Sequence, residues 1–462
     1  MKSFLILIFL LAACFAAAED TAALQARFQS QLKKLADENF DARVAAANSA
    51  HELLDNHDDL LRPLLKEALA AEKNPDVRTR LEAILESVKS AGHIEWLSEN
   101  PINVSEIVAS SGRVVACGSG KIACFNADNG KQIWSAEPGG LLRASLTIDG
   151  GKVLFIRSQK KNVERGYTPE CAVFALDLAT GKGLWSWGED SGSTRCSEPV
   201  VTNGTLYVCR EKAKDANFEL IAIDTATGKP RWANDAGKLA HIPPPPAVSD
   251  GKLICYSETN GLCCLDEKDG KAIWSSKLKA PPIDGVVIDK NNVYVAGGGQ
   301  QCCLDLQSGM MRWSVDLRTF SCPPAVAAGK LYCRTDKGLT CLDANTGQIL
   351  WNRSLDVLHG IMRQPVVVKD RFYFVFGSTP VYYCLSTNDG SELWRFQESN
   401  INFHKQFPIA GGRMFIAHLD PKTHQYYLAA LKTNKDGPAD WPMQGGNAGR
   451  SGCNDALADP KP

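Results

Sequence analysis

The chain has no charge excess: 51 Lys+Arg stand against 52 Asp+Glu in 462 residues. That balance gives no support for a nucleic-acid partner or an acidic substrate, since both call for a field of one sign. Beyond its first fifteen residues the chain has no apolar run near the roughly 18 residues that span a bilayer, so no transmembrane span is expected in the mature protein. Metal and haem spacings are missing too. No C-x-x-C or C-x-x-C-H occurs, and the eight histidines are scattered, His418 and His424 included. No Ser/His/Asp arrangement carries a local nucleophile signature. What is present is an ordinary globular composition, 44% hydrophobic and 22% charged, with 16 Cys, 10 Trp and 38 Gly. The length suits two or three domains or one large repeat array, with a core that needs no disulfide staples.

The N-terminus reads as an export signal. Lys2 precedes an apolar run from Phe4 to Phe15, and Ala16-Ala17-Ala18 ends it before Glu19-Asp20. A basic start, a short apolar stretch and small residues before an acidic pair predict a signal peptide over 1–18. Leu11-Ala12-Ala13-Cys14 also looks like a lipobox, which makes Cys14 a lipidation candidate and a lipid anchor the alternative to simple cleavage. Either outcome places the mature chain outside the cytoplasm, secreted, periplasmic or associated with the outer membrane. Disulfides persist in such places.

Residues 19–92 read as helical. Glycine is scarce between Thr21 and Ser90, and Leu53-Leu54, Leu60-Leu61, Leu64-Leu65 and Leu69 recur at helical spacing, as do Leu81, Ile84, Leu85 and Val88. Asn74-Pro75-Asp76 breaks the pattern and starts a new helix with Pro and an acid in its first turn. The segments around Phe40, around Leu60–Leu64 and at Asn74–Arg78 resemble a HEAT-like unit. Such a unit buries one face and leaves another open, as a cap or spacer or as a docking surface.

Residues 93–442 read as a repeat array. Gly followed four residues later by Trp recurs at Trp134, Trp185, Trp232, Trp274, Trp313, Trp351, Trp394 and Trp441, about 44 residues apart, a spacing typical of propeller blades. Four residues before the Gly stands Asp177, Asp224, Asp266, Asp305 or Asp343, with Asn126 and Ser386 in the first and seventh repeats. Asp caps amides at the start of a tight turn, and Gly accepts positive φ at its end. Ahead of this turn lie alternating segments such as Gly338–Asp343 and Lys330–Cys333, and a Pro-led one at Pro323–Val326. Four short strands per unit make a blade.

The stretches Ala-Leu-Asp-Leu-Ala-Thr-Gly-Lys-Gly-Leu-Trp (175–185) and Ala-Ile-Asp-Thr-Ala-Thr-Gly-Lys-Pro-Arg-Trp (222–232) resemble the PQQ-like, or quinoprotein-type, β-propeller repeat. The resemblance covers about three quarters of the chain. It implies an all-β eight-bladed β-propeller over 93–442, with each repeat Trp docked between blades, preceded by the small α-helical domain and followed by a tail at 443–462. The eighth repeat is degraded, and Trp96 suggests that His93–Ser98 supplies the last blade with a strand. Trp441-Pro442-Met443, with Gly446-Asn447, is similar to a segment seen at the start of other such chains.

The residue two before the turn Asp is Cys124, Ala175, Ala222, Cys264, Cys303, Cys341, Cys384 or Ala430. This is a small-residue core position where Cys acts as a compact hydrophobe. Quinoprotein alcohol dehydrogenases, which the repeat resembles, carry an adjacent-cysteine disulfide beside their cofactor. Here Cys263-Cys264 and Cys302-Cys303 lie inside alternating strands and point to opposite faces, so they read as structural. Cys196, Cys322 and Cys453 fall outside the register and leave cross-blade disulfides open.

Three functions follow. The first is a non-catalytic extracytoplasmic scaffold that binds envelope or secreted proteins, since the repeat resembles the BamB-like outer-membrane assembly proteins. No catalytic, cofactor or metal residue is assigned on this reading. The second is a PQQ-dependent dehydrogenase with PQQ and Ca²⁺ in the central funnel, Trp187 being one candidate floor. The third is a carbohydrate-binding or hydrolytic propeller using charged loops at Gln159–Thr168 and Lys212–Asn217, which otherwise read as solvated hairpin tips.

Overall fold

The computed structural model describes residues 21–433 except 39, 91–93, 139–140, 164–165, 190–195, 213–216, 239–244, 258–259, 280–284, 319–322, 337, 355–364, 369, 377–380, 398–406 and 421–422. The signal segment, Cys14, Cys322, Trp441, Cys453 and the tail therefore lie outside the described residues. Two compact units emerge, one of the helices with Tyr382–Gln397 and one of the remaining strands.

In the helical unit, α1 covers 21–34, α2 Phe40–Ala71 and α3 Pro75–Ser90. His57 leaves helical geometry (φ −144°, ψ 41°) and divides α2 in two. The start of α3 follows from Asn74-Pro75-Asp76. The Asn74 side chain accepts the Asp76 amide (3.0 Å), its carbonyl accepts the Arg78 amide (2.9 Å), and Pro at the first helical position has no amide to satisfy. Phe28, Leu35, Leu54, Leu61, Leu65, Leu81 and Ile84 are buried in one shared core. No helix among the described residues is long and apolar enough to cross a membrane.

The strands form eight four-stranded antiparallel sheets, the blades of an eight-bladed β-propeller. Blade one runs Glu106–Ser110, Arg113–Gly118, Lys121–Asn126 and Gln132–Ala136 in both sequence and hydrogen-bonding order. Blades two to seven repeat that order over 141–187, 200–238, 247–276, 286–316, 325–354 and 366–397. First strands of blades one to seven touch in succession, and those of blades one and eight also meet, so first strands ring the centre and fourth strands form the rim.

Blade eight is assembled from both ends of the array. Ile409–Ala410, Arg413–Leu419 and Tyr426–Lys432 supply three strands, and Ile94–Leu97 adds the fourth. Trp96 stands opposite Ala430 there. This explains why the eighth repeat lacks its Asp. Lys432 occupies the Asp position, because the next amide, of Thr433, bonds the Gly412 carbonyl as Thr225 bonds Gly204 and Ala344 bonds Gly329. The fourth strand arrives from the N-terminal side and carries Trp96, while Trp441 lies outside the described residues.

The segment expected as a loop at Gln159–Thr168 is instead mostly strand. Lys152–Val163 and Gly166–Asp177 pair continuously up to Val163↔Gly166. At twelve residues each, against about six in most blades, these strands extend the hairpin by roughly 20 Å.

Candidate functional site

The repeat residues converge on the seams between blades. The turn Asp accepts backbone amides two or three residues on: Asp224 from Ala226 (3.0 Å) and Thr227 (2.8 Å), Asp343 from Asn345 (3.0 Å) and Thr346 (2.8 Å), Asp177 from Thr180 and Asp266 from Lys268 (2.8 Å each). Asn126 does the same in blade one. The turn closes when the Gly amide bonds the Asp carbonyl, with Gly228 at φ +71°. Hydrogen bonds from Arg231 and Thr227 hold the Asp224 carboxyl at about 2. Arg312 holds Asp305 still further below the usual carboxylate range, and Thr346 lowers Asp343.

Positive φ is only half of the reason for glycine. The indole of one blade lies flat on the turn glycine of the next: Trp96 on Gly130, Trp134 on Gly181, Trp185 on Gly228, Trp232 on Gly270, Trp274 on Gly309 and Trp313 on Gly347. A Cβ at any of these glycines would stand 2.3–2.8 Å from a ring carbon. Each indole N–H also donates to a backbone carbonyl of that next turn, at 2.9–3.2 Å: Ala127, Leu178, Thr225, Glu267, Leu306 and Ala344 in the same order. The seam thus buries a ring and satisfies its only polar atom. Trp351 faces Cys341 across its own sheet, and Trp394 lies on the strand Glu392–Gln397.

The small-residue position has a matching cause. Cys124, Ala175, Ala222, Cys264, Cys303 and Cys341 are each paired directly opposite the repeat Trp of their own blade. The residue on their other side is often a large ring. Tyr207 reaches Trp232 (5.9 Å between centroids), Tyr294 reaches Trp313 (6.1 Å), Tyr332 reaches Trp351 (6.0 Å) and Phe415 reaches Trp96 (5.8 Å). Two rings on alternate strands can touch only if the side chain between them is short, hence Ala or Cys. Twelve cysteines among the described residues, Cys196 included, are thiols rather than disulfides. Burial pushes Cys124 and Cys264 up to about 11, and Cys303 and Cys341 to about 12, so they are inert as nucleophiles.

The adjacent pairs diverge. Cys263 lies in one blade-interface core with Cys209 and Leu253, while Cys264 lies in the next with Val286 and Cys302; Cys303 lies in a third with Tyr294. Neighbours on opposite faces of a strand do not make the vicinal bridge that flanks a quinone. Among the described residues no three of His, Cys, Asp and Glu are grouped to hold a cation.

Trp187, the other tryptophan outside the register, carries the Arg210 guanidinium on its face (4.1 Å), and Arg210 pairs with Glu219 at 2.9 Å. One blade earlier Arg157 stacks on Phe174 (3.9 Å) and pairs with Glu189 at 3.1 Å. The ring is closed by a clamp that no local motif announces. Arg413 donates to both Glu95 oxygens (2.8 and 3.0 Å) in its own blade and to Asp128 (2.9 Å) in the first turn of blade one. On the second charged segment, Lys212 pairs with Asp235 (3.0 Å).

A family model described as "Outer membrane protein assembly factor BamB" matches residues 82–192, 169–284, 264–379 and 336–456. A relative of that name from Yersinia pestis is 25% identical over 326 residues, 64% of this chain and 77% of its own length. Among solved structures, BamB from Moraxella catarrhalis aligns with a TM-score of 0.56 at 14% identity, covering 73% of this chain and 97% of its own. The quinohemoprotein alcohol dehydrogenase from Comamonas testosteroni aligns with a TM-score of 0.55 at 11% identity over 73% of this chain and 75% of its own, a likeness of fold alone.

Proposed function

Because the chain belongs to the family of the outer membrane protein assembly factor BamB, whose model spans its whole propeller, we propose that it is a non-catalytic scaffold for outer-membrane protein assembly. It acts outside the cytoplasm and binds other envelope proteins. The observation that carries this reading is how the repeat residues are used. Trp, turn Asp, turn Gly and the small residue are used in seams and turns, which supports a structural use of the repeat. Export by the 1–18 segment, with or without lipidation of Cys14, agrees with it. The helical unit, HEAT-like in its motifs, serves as a cap. The scaffold works without bound quinone or Ca²⁺.

Tagged full-length protein purified from the envelope of its own cells is expected to bring down outer-membrane assembly proteins, and deletion of the chain to lower the level of outer-membrane barrel proteins. Unchanged barrel levels together with no assembly partner would overturn the proposal. So would dye-linked oxidation of alcohols or sugars on adding PQQ and Ca²⁺ to the purified protein.

A further inference from the structure

The second and third strands of each blade meet at a repeat position that faces the seam with the blade before. Blade one sets Ala116 opposite Ala123 there, blade three Val208 opposite Ile221, and blade five Val295 opposite Cys302. In blade four the pair is Cys255 opposite Cys263, on the strands Lys252–Ser257 and Gly261–Asp266. Among the strand pairings described, no other sets two cysteines opposite each other.

Residues directly opposite on antiparallel strands share a face, with Cα atoms about 4.5–5.5 Å apart and Cβ atoms about as far. A disulfide spans Cα separations of about 4.4–6.8 Å, so this pair can be bridged without moving the backbone. The structure holds both as thiols. Cys263 is buried and Cys255 half-buried, and both pack with Cys209 in the core between blades three and four. The Cys263 thiol donates to the Gly261 carbonyl at 3.6 Å, a weak contact to give up. The two cysteines stand eight residues apart on one hairpin, so they meet as soon as that hairpin forms, before the seam needs to close.

We infer that Cys255 and Cys263 are an oxidation site, where a cross-strand disulfide forms outside the cytoplasm and fastens the inner hairpin of blade four. The inference rests on the extracytoplasmic part of the reading above, since disulfides persist there. The oxidant is a disulfide-donor protein. Cys255, the more open of the two, attacks one donor sulfur as its thiolate; the donor S–S bond breaks, and its second sulfur leaves as a thiolate. Cys263, after giving up its proton, attacks the Cys255 sulfur, and the donor departs as a dithiol carrying two electrons and two protons. Burial pushes both thiols up, so exchange is slow in the closed seam and belongs to the folding chain, before blade three covers the hairpin.

The test takes full-length protein from the envelope of its own cells, quenches it in acid and blocks free thiols with N-ethylmaleimide under denaturing conditions. Cleavage after Glu258, which lies between the two cysteines, is expected to give two peptides joined through Cys255 and Cys263 in most molecules, and fragmentation tells Cys263 from Cys264. Cys209→Ala should keep the bond. Cys255→Ala with Cys263→Ala copies the Ala116/Ala123 pair of blade one, so it should fold with an unchanged circular dichroism spectrum. Dithiothreitol should lower the wild-type melting temperature by a few degrees and leave that of the double variant unchanged. Both thiols blocked by the reagent, a bond from either one to Cys209 or Cys264, or a melt that responds to reductant equally in both proteins would each overturn the site. If assembly proteins still copurify in those cases, the scaffold reading stands and only the disulfide falls. A bond found in protein that brings down no assembly partner would keep the site and sink the scaffold.

Discussion

The seam between blades three and four can be tested by perturbing both of its partners. Trp232 lies on Gly270, where an added Cβ would meet ring carbons at 2.6, 2.8 and 2.9 Å, and Gly270 has φ +70°. Gly270→Ala therefore has two costs: about 1–2 kcal/mol for a Cβ in left-handed backbone, and about 1–3 kcal/mol for overpacking against the indole. Trp232→Ala removes the ring and its bond to the Glu267 carbonyl (3.0 Å), at about 3–5 kcal/mol. Only the second cost of the glycine change depends on the ring. In the Trp232→Ala background Gly270→Ala should cost only the backbone part, so the double variant is about 1–3 kcal/mol more stable than the sum of the singles. Urea unfolding followed by far-ultraviolet circular dichroism on the four proteins measures this. Additivity within about 0.5 kcal/mol would refute ring-on-glycine packing as the reason for glycine.

Further outcomes follow from the same geometry. Cys341→Ala should change stability by less than about 1 kcal/mol, because Ala175, Ala222 and Ala430 fill that place in other blades, whereas Cys303→Leu should cost about 1–3 kcal/mol by wedging Tyr294 from Trp313; thermal melts separate the two. Native protein at pH 8 should leave Cys264, Cys303 and Cys341 unalkylated by iodoacetamide and label them after denaturation, as peptide mass spectrometry will show; rapid native labelling would contradict thiols held at 11–12. Arg413→Met should lower the melting temperature by a few degrees and speed amide exchange at Ile94–Leu97, since that strand then loses its bidentate partner; exchange unchanged there would show that the clamp does not hold the ring closed. The turn carboxylates have depressed folded-state values. Their stabilisation is therefore present above the ordinary carboxylate pKa near ~3.9 and fades as pH falls toward about 2 for Asp224. Asp224→Asn and Asp305→Asn should flatten the melting temperature between pH 5 and pH 2, by a small amount because both sites are partly open to solvent.

The blade grammar was legible because a turn is a local event. Asp, Gly and Trp sit within nine residues of one another, and positive φ or an amide cap needs no distant partner. The alternation that predicted strands was equally local, and it foretold that Cys263 and Cys264 would part to opposite faces. Spacing alone left two places open. It offered both Trp96 and Trp441 to the last blade, whose fourth strand carries Trp96. It read Gln159–Thr168 as a charged loop or a hairpin tip, and the strands there pair up to Val163 and Gly166. The contacts of Arg210 with Trp187 and of Arg413 with Glu95 left no mark in the spacing; the second pair stands 318 residues apart.

By itself, then, the sequence determined the number of blades, the place of each corner and the small size of the residue beside each Trp. These follow from backbone conformation and from the period of a strand, which a short stretch of chain already contains. Tertiary structure alone decided which strand completes the last blade, which glycine each indole meets and which rim edges are covered. Those depend on ring closure, which brings the two ends of the array together, and on a helix burying one outer edge of eight. The position three residues before the repeat Trp is exposed as Lys182 or Lys229 and buried as Ser391.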